Sequence, residues 1–303
     1  MKDPRFTSTV GGLLICISAV LWGLDGVVLT PRLSNLQVPF VVFLLHAVPF
    51  VLMQPFLRRS YGALRGMDRA TGWALFLVAL TGGLIGTLAI VKALFLINFQ
   101  RLSVVVLLQK LQPVFAIALA AVLLKERLTR DFLLWTFVAV GGAYLLAFGA
   151  AAPDLSGDSV TTQAACWALL AAAAFGSATV FSKQLLTSLS YADATFGRYG
   201  MTTALALAYL LASGVGLPFA EVTPRNWTII LVIGLTTGSG AIFLYYLGLA
   251  RVRASVAAIC ELCLPLSAVI FDYLINGSIL GPWQWIGAAV LIVAIMRITT
   301  KKE

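Results

Sequence analysis

The second half of this chain repeats the first at an offset of about 153 residues. An apolar segment that begins at Trp73 recurs at Trp227, and an aromatic–glycine pair recurs as well. The matched positions are Trp73–Val78 with Trp227–Val232, Trp22-Gly23 with Phe175-Gly176, Ser103 with Ser255, and Pro113 with Pro265. An internal repeat in a very apolar chain is typical of a transporter built from two structural halves.

The composition indicates an integral membrane protein. Of the 303 residues, 60% are hydrophobic and 11% are charged, whereas soluble domains carry about 25% charged residues. Apolar runs of about 17–25 residues are long enough to cross a bilayer as helices, and they lack the alternation of barrel strands. We predict an all-α membrane protein with ten transmembrane helices, at Gly11–Leu29, Val38–Phe56, Gly72–Leu96, Leu102–Leu124, Phe132–Gly149, Gln163–Lys183, Ala194–Ser213, Trp227–Leu249, Ala254–Ile275 and Trp283–Ile298.

Lysine and arginine predict the orientation of these helices. With the N-terminus in the cytoplasm, the inner segments hold fifteen basic residues and the outer loops hold Arg32, Arg101 and Arg225. Because cytoplasmic loops carry such an excess, we expect both termini on the cytoplasmic side of a bacterial inner (plasma) membrane. Ala150–Thr162 is the expected external joint between two units, residues 1–150 and 151–303. Each unit has an odd number of helices, so the repeats must be inverted relative to each other.

Several kinds of chemistry are excluded by what the chain lacks. Its basic residues lie in short loops between apolar runs, which is typical of membrane orientation and not of nucleic-acid binding. Cys260 and Cys263 form a C-x-x-C inside an apolar run, where we expect packing rather than redox or metal chemistry. One histidine cannot form H-E-x-x-H, and no lysine precedes Ser or Thr as a Walker A motif requires. We expect no cofactor, no metal and no enzymatic activity.

Charged residues inside the predicted spans are the first candidates for a binding site. There are three of each sign: Lys92, Lys110, Arg198, Asp25, Glu261 and Asp272. A charge at mid-helix costs at least about 2.5–3.5 kcal/mol, so it usually faces a cavity or a partner. We predict that Asp25, Lys92, Lys110 and Glu261 bind substrate. For Lys92, as for Arg198 and Asp272, an ion pair or snorkelling near a span end remains the alternative.

Two prolines deep in apolar runs suggest a mechanism. A proline inside a helix removes the hydrogen bond to the carbonyl four residues earlier. That carbonyl belongs to Gln109 for Pro113 and to Glu261 for Pro265, and these two polar residues occupy equivalent repeat positions. We therefore predict that the two prolines act as hinges at mid-membrane and that Gln109 and Glu261 flank the substrate. The alternative is a tolerated proline whose backbone is satisfied by a neighbour or by water.

Ring-bearing residues complete the predicted substrate site. His46 lies near the centre of the second span and Tyr199 is its repeat counterpart; the histidine is either a hydrogen-bonded structural residue or a proton relay. Trp22, Phe175 and Tyr245 are candidates for the wall of an apolar pocket, although aromatic side chains in a bundle usually pack.

Two motifs resemble a known family. Leu111–Ala116 followed by Leu123–Thr129 resembles the end of the fourth helix in EamA-type domains of the drug/metabolite transporter superfamily, and Leu264–Ala268 and Gln284–Ala288 echo the pattern in the second half. The resemblance covers nearly the whole chain and is strongest to YddG-type exporters of aromatic and other amino acids. It implies a central cavity with alternating access. Glu126 matches the family's acidic position, whereas Ser278 stands at the corresponding place in the second half.

These observations predict a secondary transporter of amino acids, an exporter by resemblance, that accepts aromatic and other neutral side chains. The equal numbers of basic and acidic residues within the spans suit a zwitterionic substrate, bound by a protein that lies in the lipid bilayer. Another metabolite or a drug is the alternative substrate. A phosphorylated or nucleotide-linked sugar would need concentrated positive charge, which the three acidic residues oppose. A passive channel is a competing function, and it would need a ring of like polar groups around its pore.

Overall fold

A computed structural model of the chain describes residues 4–97, 105, 108–150, 159–277 and 279–300, and within them it is helical. In chain order the α-helices are α1 (Pro4–Leu24), α2 (Val38–Leu57), α3 (Ser60–Arg65), α4 (Arg69–Val78), α5 (Gly86–Leu96), α6 (Gln112–Leu123), α7 (Arg130–Phe148), α8 (Ser159–Leu185), α9 (Tyr191–Ala212), α10 (Pro224–Ile233), α11 (Ser239–Leu249), α12 (Ala254–Cys260), α13 (Cys263–Asn276) and α14 (Pro282–Thr300). Short 3₁₀ turns lie at Thr30–Leu33 and Phe219–Glu221.

Among the described residues, three of the long helices contain a π-helical segment. Asp25–Leu29 follows α1, Ala79–Ile85 joins α4 to α5, and Gly234–Gly238 joins α10 to α11. The last two segments lie at equivalent positions of the repeat, and both are rich in glycine and threonine. Such wider turns are frequent at functional sites and break the regular hydrogen-bond ladder.

Eight helical stretches in the described residues are long and apolar enough to cross a membrane, which confirms the prediction of an all-α membrane protein. Their bounds follow the predicted spans closely, although the first continues to Leu33 rather than ending at Leu29. The predicted fourth span contains α6, a shorter apolar helix. The predicted seventh span is α9, whose 22 residues include Asp193 and Arg198. A total of ten spans and the inverted arrangement of the halves stay predictions, and the joint at 151–158 lies outside the described residues.

Contacts between loops define two faces of the bundle. On the N-terminal face, formed by residues 58–68, 124–129, 186–190 and 250–253, the Arg253 guanidinium donates to the Arg127 carbonyl at 2.9 Å. On the opposite face, formed by residues 30–37, 149, 213–226, 277 and 279–281, Asn226 Nδ2 donates to the side chain of Asn35 at 3.0 Å. Each of these two contacts joins segments on the same side of the bundle.

Small residues allow the helices to approach closely. α7 and α14 cross where Gly142 faces the backbone of Leu291 and Gly287 faces Leu146. A Cβ atom on Gly287 would lie 2.4 Å from the Leu146 nitrogen, so only glycine fits this contact. Within a membrane, association depends on such packing because lipid is as apolar as the helix surface. The large exposed hydrophobic side chains, such as Phe137 and Leu235, cover the surface that meets lipid.

Candidate functional site

A cavity of about 810 Å³ lies between the two halves of the chain. Its mouth is lined by Arg32, Phe148, Ile279 and Gln284, which belong to or adjoin the opposite face. Its inner end is lined by polar and aromatic side chains, namely Trp22, Gln109, Lys110, Gln112 and Glu261. Ligand sites for small molecules have volumes of roughly 300–1,000 Å³. The cavity therefore has the size and the polarity of a small-molecule site that opens on one face.

Both predicted hinge prolines line this cavity. α12 ends at Cys260 and α13 begins at Cys263, so the second-half helix is interrupted four residues before Pro265. α6 begins at Gln112, directly before Pro113, after a turn in which the Leu111 amide bonds to the Leu108 carbonyl. One detail of the prediction is wrong, because the Glu261 carbonyl is not free: it accepts the Leu264 amide at 2.9 Å.

Glu261 forms the floor of the cavity together with neutral donors from three other helices. The Tyr245 hydroxyl donates to Glu261 Oε1 at 2.6 Å, and the Thr179 hydroxyl donates to the same oxygen at 3.1 Å. The Gln112 amide donates to Oε2. Glu261 is only 9% exposed, and hydrogen bonds to a buried carboxylate offset part of its desolvation. Gln112 comes from the first half of the chain, so this floor joins the two halves.

The repeated aromatic–glycine pairs position these interrupted helices. A Cβ atom on Gly23 would lie 3.0 Å from both the Leu264 carbonyl oxygen and the Ala268 nitrogen. A Cβ atom on Gly176 would lie 2.8 Å from the Gln112 carbonyl oxygen. Each glycine thus lets one helix touch the backbone beside the proline of the other half. The aromatic residue of the first pair, Trp22, lines the cavity and its ring lies 5.3 Å from that of Tyr245.

Lys110 is the cation among the lining residues named at the inner end of the cavity. Its side chain is 8% exposed and lines the cavity. Within the described part of the chain it makes no hydrogen bond or ion pair with another residue. A buried ammonium group is costly without a partner, and its three donors are available to a bound molecule.

Four of the ten predicted substrate-binding residues line the cavity: Trp22, Gln109, Lys110 and Glu261. Tyr245 contributes indirectly, through its hydrogen bond to Glu261. The other five are engaged elsewhere or stand apart from the lining, and they are Asp25, His46, Lys92, Phe175 and Tyr199.

Local contacts explain why several of those five do not reach the cavity. Asp25 Oδ1 accepts the Thr30 hydroxyl at 3.0 Å, within one turn of the same chain segment. His46 Nδ1 lies 2.8 Å from the Val42 carbonyl oxygen, and its ring is 5.5 Å from that of Tyr199. The Lys92 ammonium lies 4.5 Å from the centre of a tryptophan ring, that of Trp167, which is a cation–π contact.

The sequence did not predict Gln112, Thr179 or Arg32 as residues of the binding site. Gln112 lies in the motif beside Pro113, and adjacency to the proline was a signal for it. Thr179 had no such signal, because it reaches Glu261 only through the packing of α8 against α12. The described residues contain no group of three His, Cys, Asp or Glu side chains able to hold a metal ion. Cys16, Cys260 and Cys263 are free thiols, and Cys16 lies 3.8 Å from the Cys260 carbonyl oxygen.

A bundle of apolar helices around a cavity with a polar floor, open on one face, defines a membrane transport protein. Residues 9–148 and 162–300 each match the model of the EamA-like transporter family. The chain therefore belongs to this family, which confirms the resemblance to EamA-type domains. The family and its relatives are transporters rather than enzymes.

Two relatives have names that bear on function. The chain is 49% identical over 291 residues, 95% of its length and 97% of the relative's, to the "Riboflavin transporter ImpX" of Fusobacterium nucleatum. It is 30% identical over 188 residues, 62% of its length and 60% of the relative's, to the "Uncharacterized transporter YwfM" of Bacillus subtilis. Neither name supports the closer resemblance to YddG-type amino acid exporters.

A protein of known crystal structure has the same fold. It superposes with a TM-score of 0.71, and the alignment covers 94% of both chains at 16% sequence identity. At that identity the likeness concerns the arrangement of helices and carries no information on the transported molecule.

Proposed function

We propose that this protein transports riboflavin, or a closely similar flavin, through the cavity between its two halves. The observation that carries the proposal is the combination at the inner end of the cavity: an indole, an unpaired ammonium, two amides and a carboxylate. The relative at 49% identity, whose name includes riboflavin, supports this choice. Because the chain carries no Walker A motif for ATP, we expect a gradient across the membrane to drive transport.

The chemistry of riboflavin fits this arrangement. Its flat tricyclic ring is apolar on both faces, and one edge alternates two carbonyl acceptors with an N–H donor. Trp22 offers a face for stacking, which aromatic side chains do favourably with flat rings. Lys110 is a donor for a ring carbonyl, and Gln109 supplies both a donor and an acceptor. The hydroxylated side chain of riboflavin then extends towards Arg32 and Gln284 at the mouth.

Amino acid transport is the second candidate, with one observation in its favour. Lys110 and Glu261 line the same cavity, and a zwitterion needs one partner of each sign. Two observations weigh against it. Glu261 already accepts three hydrogen bonds, and about 810 Å³ exceeds what a single amino acid fills. A drug or another aromatic metabolite would fit the cavity by size, so the experiment must compare substrates directly.

The test is counterflow in proteoliposomes that contain only this protein. Liposomes loaded with unlabelled riboflavin should accumulate labelled riboflavin, with saturation, and unlabelled phenylalanine should not compete. Trp22→Ala should raise the concentration for half-saturation at least about fivefold, since base–aromatic stacking is worth about 1–3 kcal/mol. The matched control is Trp73→Ala, which removes a tryptophan that is 65% exposed on the lipid side. Saturable exchange of phenylalanine without exchange of riboflavin would establish the second candidate instead.

A further inference from the structure

A row of buried polar side chains continues beyond the cavity floor towards the N-terminal face. Tyr245, which contacts Glu261, is followed on α11 by Tyr246, whose hydroxyl shares a hydrogen bond of 3.0 Å with that of Ser182. The Arg198 guanidinium donates to the Tyr246 hydroxyl at 3.2 Å. Ser182 adjoins Lys183, whose ammonium donates to the Leu249 carbonyl on the N-terminal face. The row therefore spans the distance between the floor and that face.

Arg198 has more hydrogen-bonding capacity than its surroundings use. Its guanidinium carries five N–H donors, and in the described part of the chain its hydrogen bond goes to Tyr246 alone. The side chain is 9% exposed, so the remaining donors are withdrawn from bulk water. A buried cation is costly unless acceptors surround it. The unused donors point to a bound group that is rich in acceptors.

The chain also makes room for this guanidinium. Gly82 lies in the π-helical segment Ala79–Ile85, and a Cβ atom there would stand 3.1 Å from Arg198 Nη2. A side chain there would crowd the guanidinium, and it would meet the Ala178 Cβ atom first, at 2.6 Å. Arg198 and Tyr246 stand apart from the cavity already described, since neither of them lines it.

The N-terminal face is closed over this row by contacts between the two halves. Glu126, from the first half, accepts the backbone amides of Ala254 at 2.7 Å and of Ser255 at 3.1 Å. Arg253 donates to the Arg127 carbonyl at 2.9 Å. These contacts lie at the end of the bundle away from the cavity mouth, so a passage along the row would emerge where they now stand.

We propose that the row Tyr245–Tyr246–Ser182–Arg198 lines the second half of the transport path and that Arg198 is a second substrate subsite. Arg198 takes the acceptor-rich leading end of the substrate, which for a flavin is the carbonyl edge of the ring that faces the floor, after the Glu261 floor opens and before release at the N-terminal face. The identity of that ligand rests on the proposed function; the existence of the path does not.

The first experiment separates binding from transport. Arg198→Gln should bind riboflavin from the cavity side with the wild-type Kd, within about twofold, and should lower the maximal counterflow rate at least about tenfold, since tenfold corresponds to about 1.4 kcal/mol. Arg198→Lys keeps the positive charge but lacks the planar, forked guanidinium. Its counterflow rate should lie between those of the wild type and Arg198→Gln. If Arg198→Gln does not fold, the Kd and the counterflow rate are measured on Arg198→Lys instead.

Arg225→Gln is the matched control, because it neutralises an exposed arginine on the opposite face, outside the row. Its counterflow rate should stay within about threefold of wild type. Tyr246→Phe removes the hydroxyl that accepts from Arg198 and leaves the guanidinium in place, so it should lower the rate less than Arg198→Gln does. Equal loss in Tyr246→Phe and Arg198→Gln would show that Arg198 only positions Tyr246, which overturns the subsite. Wild-type transport in both Arg198→Gln and Arg198→Lys would overturn it as well.

The second experiment tests the path without any substrate. Ser182→Cys, in a background lacking the four native cysteines, should resist an impermeant thiol reagent applied from the N-terminal face. Addition of Glu126→Gln, which weakens the closing contacts, should make Cys labelling faster from that face and leave it slow from the other. Equal labelling rates with and without Glu126→Gln would overturn the path. Failure of the proposed function would give another result. The wild type would then exchange no flavin, while Glu126→Gln would still speed the labelling of the cysteine at position 182.

Discussion

Neutralising Glu126 should favour the conformation that opens on the N-terminal face. Its two carboxylate oxygens accept the amides of Ala254 and Ser255, which are among the first-turn donors of α12 that have no partner inside the helix. The carboxylate also lies at the positive end of a helix dipole. Because Glu126 precedes α7 in the first half and α12 belongs to the second, these bonds hold the halves together on one side only.

The expected magnitude follows from the number and kind of these bonds. Hydrogen bonds to a charged group contribute about 1.5–3 kcal/mol, against about 0.5–1.5 kcal/mol for neutral ones. Glu126→Gln keeps one acceptor oxygen and turns an amide NH₂ towards the other backbone donor, so it loses one bond and weakens the other. We expect a shift of about 2 kcal/mol, or roughly thirtyfold in the conformational equilibrium. A minor state populated at about 1% would then rise to about a quarter of the molecules.

Spin labels across the N-terminal face would measure this shift. Lys125 and Arg251 are exposed residues on the first and second halves, and cysteines there can carry the labels in a background lacking the native thiols. In the wild type, double electron–electron resonance should give one main distance, and Glu126→Gln should add a longer one. The control is Glu221→Gln, which neutralises an exposed acid on the opposite face. Identical distance distributions in the Glu126 variant and wild type would refute the assignment of these bonds as the closing contact.

Three further outcomes are expected. Glu261→Gln should reduce riboflavin counterflow at least about tenfold with normal folding, because the amide cannot accept from all its neutral donors and leaves one unpaired; wild-type kinetics would contradict this. Gly23→Ala should lower the free energy of unfolding by about 1–3 kcal/mol through overpacking, measured by thermal melting against Gly141→Ala, where a Cβ atom meets open space. A cysteine at Gly66 should be shielded from an impermeant reagent on whole cells and one at Ser213 should be labelled, whereas the reverse would contradict cytoplasmic termini.

Much of the architecture follows from the sequence alone. Apolar runs of bilayer length fix helices as the element, because backbone groups in lipid must bond within their own segment. The repeat of Pro113 at Pro265 marked the place of the interrupted helices, and the repeat of Trp22-Gly23 at Phe175-Gly176 helped to mark the two halves. Such features are local or periodic, so they can be recognised from the sequence without knowledge of the tertiary structure.

The composition of the binding site was decided by tertiary packing. Lys92 and Lys110 look alike in sequence, yet one lies over Trp167 and the other faces the cavity. The difference arises because a helix has several faces, and only the packing of its neighbours determines which face meets a cavity. Glu261 owes its three donors to three separate helices. Charge and polarity could be read from the chain, but the direction in which each side chain points required the assembled bundle.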